Sequence, residues 1–304
     1  MSSLRSQSFD IEYLLQARQP RTLKSPSLNA LFQEGSCAGI EECLPSVGAS
    51  GKATDGGEVP DHGDFWQLPW HIQNHIDNYS LAIQATGFSR PLRFSKQLTL
   101  NDNALHIDYK IENLSNQCVS FLYACHPLFA VEAGDRIILP DEVKSLHLHS
   151  SHNQRLGTFG DTIAWPQPIS SSNSDLSFVL PATARTADML YTERLQHGWC
   201  GLYRAASQTG LVVRFDTSLL PYLGLWLCYG GWPEDDSKQL QYAVAFEPTV
   251  APHGTLLAAQ QAKVAPELAP HGQFQWRINF QITSNMLSFT EFQDFCAHLD
   301  SANS

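Results

Sequence analysis

Gln273-Phe274-Gln275-Trp276-Arg277-Ile278-Asn279-Phe280-Gln281-Ile282 places an apolar side chain at every second position. Successive side chains of an extended chain point to opposite faces, so this stretch reads as a half-buried β-strand; a helix would space its apolar residues by three and four. The same period recurs in Leu105 to Glu112, Ser80 to Ala85 and Gly210 to Phe215. Turn formers fall between such runs at hairpin-like intervals: Glu112-Asn113-Leu114-Ser115-Asn116, Ala133-Gly134-Asp135 and Asn173-Ser174-Asp175. The pattern predicts an all-β fold of antiparallel strands with few short helices. One helical signal stands near the end, where Ser288 is followed three residues later by Glu291, a capping box that predicts a C-terminal helix within 285–304. The loops Gly48 to Glu58 and Ser170 to Ser174 are too short to divide the chain, and residues 1–304 are read as one domain.

At 304 residues and 43% hydrophobic, the chain can bury a large core. A net charge of -11 disfavours nucleic acid and anionic membrane surfaces as partners. Lysines and arginines are scattered, and the nearest thing to a group, Arg18, Arg21 and Lys24, reads as a solvated loop. No run approaches the roughly 20 apolar residues of a membrane span. Met1 to Asp10 is too polar for a signal peptide, so a cytoplasmic protein, monomer or homodimer, is expected. The seven cysteines are odd in number and lie mostly in apolar strings, as reduced core thiols do. Cys37 and Cys43 lack a second ligand pair for zinc, and the glycine-rich stretches carry no phosphate-loop or dinucleotide pattern. Neither metal nor cofactor is expected.

Three polar islands interrupt the apolar pattern: Asp61-His62-Gly63-Asp64-Phe65-Trp66, Cys125-His126-Pro127-Leu128-Phe129 and Phe246-Glu247-Pro248-Thr249. Two histidines and a carboxylate are the parts of an acid/base pair. The run Val119 to His126 is expected to stop at Pro127, placing His126 at a strand exit; Tyr242 to Phe246 is expected to end likewise at Glu247-Pro248. Imidazole, with an ordinary pKa of about 6.5, suits proton donation at neutral pH. A carboxylate closing an apolar strand is exposed, paired or functional, because burying it alone is costly; in a cleft its pKa rises toward that of a useful base. Spacing alone leaves open a core histidine bonded to a carbonyl and a plain edge-strand glutamate. Phe65, Trp66 and Trp70 follow His62, and Tyr222, Trp226, Tyr229 and Trp232 form a second aromatic cluster. Such rings fill cores or, beside hydrogen-bonding groups, hold sugars by their apolar faces.

Gly39-Ile40-Glu41-Glu42-Cys43-Leu44-Pro45-Ser46-Val47, Pro60-Asp61-His62-Gly63, Cys125-His126-Pro127-Leu128-Phe129, Leu225-Trp226 and Phe246-Glu247-Pro248-Thr249 occur in the order and approximate spacing of the aldose 1-epimerase (galactose mutarotase-like) family, which the chain resembles over roughly residues 30–260. The resemblance implies a β-supersandwich with a sugar site in an open cleft. It implies His126 as the general acid at the ring oxygen and Glu247 as the base at the anomeric hydroxyl. His62 would hydrogen-bond the sugar near the ring oxygen, Asp188 would bind sugar hydroxyls, and Trp226 would line the site. The implied activity interconverts α and β anomers of a free aldose without a cofactor.

Three departures shape the expectation. Relatives acting on hexose 6-phosphates tend to carry arginine near the His-Gly pair, whereas here Asp64 follows it and Glu41-Glu42 lies upstream, carboxylates expected to repel a phosphate. No counterpart of an early Asn-Arg-like site arginine is found. Phe9 to Leu15 corresponds to a point after the family's first hairpin, so residues 1–30 are expected to hold a truncated one. The alternatives are a non-catalytic sugar-binding or sensory protein, or a hexose-6-phosphate 1-epimerase using Arg90 and Arg93.

Overall fold

The alternation of Gln273–Ile282 becomes a single strand that buries Trp276, Ile278, Phe280 and Ile282. In the computed structural model, which describes residues 1–6, 8–17, 24–167, 175–234 and 240–301, it pairs antiparallel with Thr209–Phe215 on one side and Ala104–Asn113 on the other. Arg18, Arg21, the turn residues Asn173-Ser174 and the Ser170 to Ser174 loop lie outside the described residues. Beyond Ala104–Asn113 the first sheet continues through Leu92–Asn101, Ser80–Thr86 and His71–Asp77; beyond Thr209–Phe215 it continues through Trp199–Arg204 and Arg136–Ile138.

The second sheet runs Thr162–Ala164, Ser145–Ser151, Thr186–Thr192, Tyr222–Tyr229, Tyr242–Thr249, Ala124–Ala130, Ile40–Cys43. All its neighbours are antiparallel. Leu190, Leu225 and Phe246 point into the core shared with the first sheet, and their alternates Met189, Trp226 and Glu247 point away from it. The all-β, antiparallel architecture read from the periodicity is the architecture of the molecule.

Between the sheets Tyr109 stacks on Trp276 with ring centroids 5.2 Å apart, and Tyr123 packs against Trp276 at 4.3 Å. A buried ion pair is embedded in this aromatic layer. Lys96 Nζ of the first sheet lies 2.8 Å from Glu42 Oε1 of the second and 4.3 Å from the Trp70 ring centroid, while Tyr123 donates its hydroxyl to Glu42 Oε2 at 2.9 Å.

Both prolines expected to stop strands sit inside them, in Ala124–Ala130 and Tyr242–Thr249. The ladder between these strands pairs Ala245 with Leu128 and resumes only at Thr249 and Ala124. Proline lacks the N–H that a ladder needs, so it breaks pairing locally without ending an extended strand. Pro127 and Pro248 both fall in this gap, and His126 and Glu247 are the residues beside them. His126 is therefore in mid-strand, not at a strand exit.

The capping box is formed: Ser288 N donates to Glu291 Oε2 at 2.7 Å and Glu291 N to Ser288 Oγ at 3.3 Å, starting the helix Phe289–Ser301. Its Phe292 occupies space that only glycine leaves open, since a Cβ on Gly210 would lie 2.1 Å from the ring. A second helix, Leu256–Gln261, has no counterpart in the sequence reading; Thr255 caps it by accepting from Ala258 N at 3.2 Å. At six residues, it is too short to show a helical period. Near the start of the chain, Arg5–Ser6 and Ile11–Glu12 pair antiparallel, and Leu15 N donates to Leu128 O.

Candidate functional site

The gap in the ladder brings His126 Nε2 to 3.4 Å from Glu247 Oε1. Both side chains are almost wholly buried, and no ladder bond separates their strands at this point. They form part of the wall of a cavity of about 160 Å³ with His62, His149, Phe32, Trp226, Trp232 and Gln241. No lysine or arginine lines it among the described residues.

Loops over the sheet complete the enclosure. His62 takes a left-handed backbone (φ 55°), and Gly63 follows at φ 71°, packed so tightly that a Cβ would come within 2.0 Å of Leu44 O. That turn lays the His62 ring flat on Phe32, with centroids 3.8 Å apart and planes 7° apart, and edge-on to His126 at 5.3 Å. Asp61 organises the turn. Its Oδ1 is 2.8 Å from His62 Nδ1, its Oδ2 accepts from Phe32 N at 3.0 Å, and its backbone carbonyl accepts from Trp66 Nε1 at 2.7 Å. Burial pushes the Asp61 carboxyl up, but the hydrogen bonds of His62 and Phe32 outweigh it and hold the group below its ordinary value. An ionised carboxylate only accepts, so the His62 proton sits on Nδ1 and Nε2 is left for a ligand. In Asp61→Asn the side-chain amide can donate to Nδ1 instead; nitrogen-15 spectra of the His62 ring are expected to shift from the Nδ1–H tautomer to a mixture containing Nε2–H. An unchanged tautomer would show that Asp61 does not set it.

Burial raises Glu247 to about 8 and, with the neighbouring His62, lowers His126 to about 3. Enclosure favours the uncharged form of both groups. Among the described residues, Glu247 Oε2 and His126 Nδ1 are buried without a hydrogen-bond partner, as is the Tyr191 hydroxyl nearby. Gly224 makes that closeness possible: a Cβ there would stand 2.8 Å from Met189 Cε, 3.1 Å from Glu247 Cβ and 3.1 Å from Tyr191 Cε1.

These shifts carry a stability consequence. Because the folded-state value of Glu247 lies above its unfolded value, its contribution is complete below the unfolded carboxyl range and is lost as pH rises through about 8. His126 acts oppositely, its contribution present above the unfolded imidazole range and lost as pH falls toward about 3. Urea midpoints of the wild type are expected to fall between pH 5 and about 8 relative to those of Glu247→Gln, which cannot ionise. Parallel curves for the two proteins would contradict the raised carboxyl.

Of the residues singled out in the sequence, His62, His126, Trp226 and Glu247 meet at this cavity. Asp188 does not. It shares a face with Leu190 rather than with Met189; its Oδ1 accepts from Ser151 Oγ at 2.6 Å, and its Oδ2 is held by Arg155 Nε at 2.9 Å and by Arg155 Nη2. Strand parity turns it from the cavity, and both oxygens are taken.

The carboxylates expected to repel a phosphate are also elsewhere: Glu42 pairs with Lys96, Asp64 accepts from Phe88 N and Ser89 N at 2.9 Å each, and Glu41 accepts from Ser36 at 3.2 Å. Arg90 donates to Gly57 O at 2.9 Å, and Arg93 pairs with Glu112 at 2.9 Å in the first sheet, so neither serves the cavity. His149, Phe32 and Gln241 were not identified from the sequence. His149 stands in Leu146-His147-Leu148-His149, where alternation offers two histidines and no means of choosing the inward one; burial and nearby His253 lower its pKa.

No family model and no curated protein matches the sequence. Solved structures do resemble the fold. The galactose mutarotase related enzyme from Lactobacillus acidophilus superposes with TM-score 0.65 at 16% identity, over 94% of this chain and 92% of that one. A galactose mutarotase-like protein from Lactobacillus casei ATCC 334 gives 0.63 at 13% identity, over 93% of each chain. The GalM/aldose epimerase homologue from C. elegans gives 0.61 at 11%, over 94% and 92%. At such identities the likeness is one of fold: the chain has the galactose mutarotase-like β-sandwich.

Proposed function

We propose that the cavity interconverts the α and β anomers of a free, unphosphorylated aldose, and that His126 and Glu247 move the protons. The observation that carries this reading is the buried pair 3.4 Å apart, with one oxygen of Glu247 and one nitrogen of His126 unpartnered, in a cavity walled by tryptophan and histidine and lined by no lysine or arginine among the described residues. A neutral polyol suits such a site, its hydroxyls meeting the polar side chains of the wall and its apolar face meeting an indole. A phosphate would enter without a counter-charge.

The anomeric hydroxyl loses its proton to one member of the pair, and the ring oxygen gains a proton from the other as the bond between them and the anomeric carbon redistributes. The C1–O5 bond breaks, giving the open-chain aldehyde. Rotation about C1–C2 and closure on the other face return both protons. With Glu247 resting protonated, it can donate while neutral His126 accepts. Transfer of the shared proton within the pair gives the opposite assignment, His126 as acid and Glu247 as base, and the two halves of the cycle use both. His62 Nε2 accepts from a sugar hydroxyl near the ring oxygen, and Trp226, anchored by its Nε1 to Gln241 Oε1 at 2.6 Å, supplies a wall.

Anomer exchange measured by NMR saturation transfer on a panel of neutral aldoses tests this. Acceleration by the protein identifies the sugar class, whereas absence of acceleration for every aldose overturns the reading. The lack of a lining arginine favours a second reading, a sugar-binding protein without turnover, which gives saturable binding and no exchange.

A further inference from the structure

A second cavity, of about 260 Å³, adjoins the first and shares two residues with it, Trp232 and Gln241. We propose that it is a subsite for a second uncharged sugar ring, so that the favoured ligand is the reducing end of a disaccharide or longer saccharide. The inference rests on the sugar-binding reading of the first cavity.

Its lining is made for hydroxyls. Gln16, Gln33, Ser36 and Gln241 contribute amides and a hydroxyl, and no lysine, arginine, aspartate or glutamate lines it among the described residues. Several of these groups keep hydrogen-bonding capacity. Gln33 makes no side-chain hydrogen bond among the described residues. Gln16 spends its Nε2 on Ser2 O at 2.7 Å and Leu14 O at 3.1 Å, leaving its carbonyl oxygen as an acceptor. Gln241 spends its Oε1 on Trp226, leaving its NH2 as a donor. Beneath them Leu15 packs on Leu128, Ala243 and Ala245, so an apolar floor meets a polar rim, as the face and edge of a pyranose require. Among the described residues a charged ligand would find no counter-ion.

The shared wall makes the two cavities consecutive. Trp232 stands edge-on to Trp226 with centroids 6.4 Å apart, and Gln241 N donates to Trp232 O at 2.7 Å, so the boundary is one braced unit. A second ring tethered to the first binds there as an intramolecular event, without a second loss of translational freedom.

Calorimetry with glucose and galactose against cellobiose, maltose and lactose tests the proposal. At least one disaccharide is expected to bind about tenfold tighter than its monosaccharide. The exposed Ala17 lies on the rim of the second cavity. Ala17→Trp, which fills that cavity from outside, should bring the disaccharide-to-monosaccharide ratio near parity, and Gln33→Ala should reduce it. Monosaccharide binding with no gain for any disaccharide, or a gain that both variants leave intact, overturns the subsite while the first cavity's reading stands. No binding of any sugar overturns both.

Discussion

Glu247→Gln is expected to lower anomer exchange by about 10³-fold, the range that positioned proton transfer contributes, while leaving sugar affinity within a small factor. Glutamine keeps the shape of the protonated carboxyl that burial favours and cannot release or regain a proton. The loss should therefore fall on kcat and leave KM nearly unchanged, as for an interaction used only in the transition state. His126→Gln should lose a comparable amount, and the double variant little more, because the two groups act on one shared proton. A Glu247→Gln protein with wild-type exchange would remove the pair from the mechanism, whatever the sugar.

Lys96→Met is expected to cost about 3–5 kcal/mol of folding stability in urea unfolding, the usual penalty for leaving a buried charge without its partner. Glu42 is 2% exposed, its Oε1 faces the ammonium at 2.8 Å, and Tyr123 bonds only its other oxygen. Methionine fills a similar volume on Trp70 but answers no charge. Adding Glu42→Met should recover much of the loss, since a matched apolar pair avoids desolvation altogether. Equal stability of Lys96→Met and wild type would show that the pair contributes little to holding the sheets together. Glu42 and the site residue His126 lie on paired strands, with Glu41 opposite His126, so a small part of the lost stability should appear as reduced anomer exchange in Lys96→Met.

Much of the scaffold was legible. The polar/apolar alternation of Gln273–Ile282 needs only the strand's two-residue period to be recognised, and the pairing of Ser288 with Glu291 needs only local hydrogen bonds. His126 and Glu247 stood out because a polar side chain amid apolar neighbours is costly unless it has work to do. What the prolines beside them do was not legible, because a proline ends a strand or opens a ladder gap according to which neighbour its missing N–H would have faced, and that is a matter of register. Asp188 was misplaced for a related reason: parity along Thr186–Thr192 decides which face a side chain takes, and a match of residue type does not carry parity.

The amino-acid sequence by itself determined the β architecture, the C-terminal cap and the identity of the residues able to exchange protons, since these follow from short-range periodicity and from side-chain chemistry. Only the tertiary structure decided that enclosure favours the uncharged forms of His126 and Glu247, that Asp61 orients His62, that Asp188 serves Arg155, and that a second polar cavity adjoins the first. Desolvation, strand register and shared walls depend on which distant segments enclose a group, and residues 126 and 247 become neighbours only when two strands far apart in the chain lie side by side.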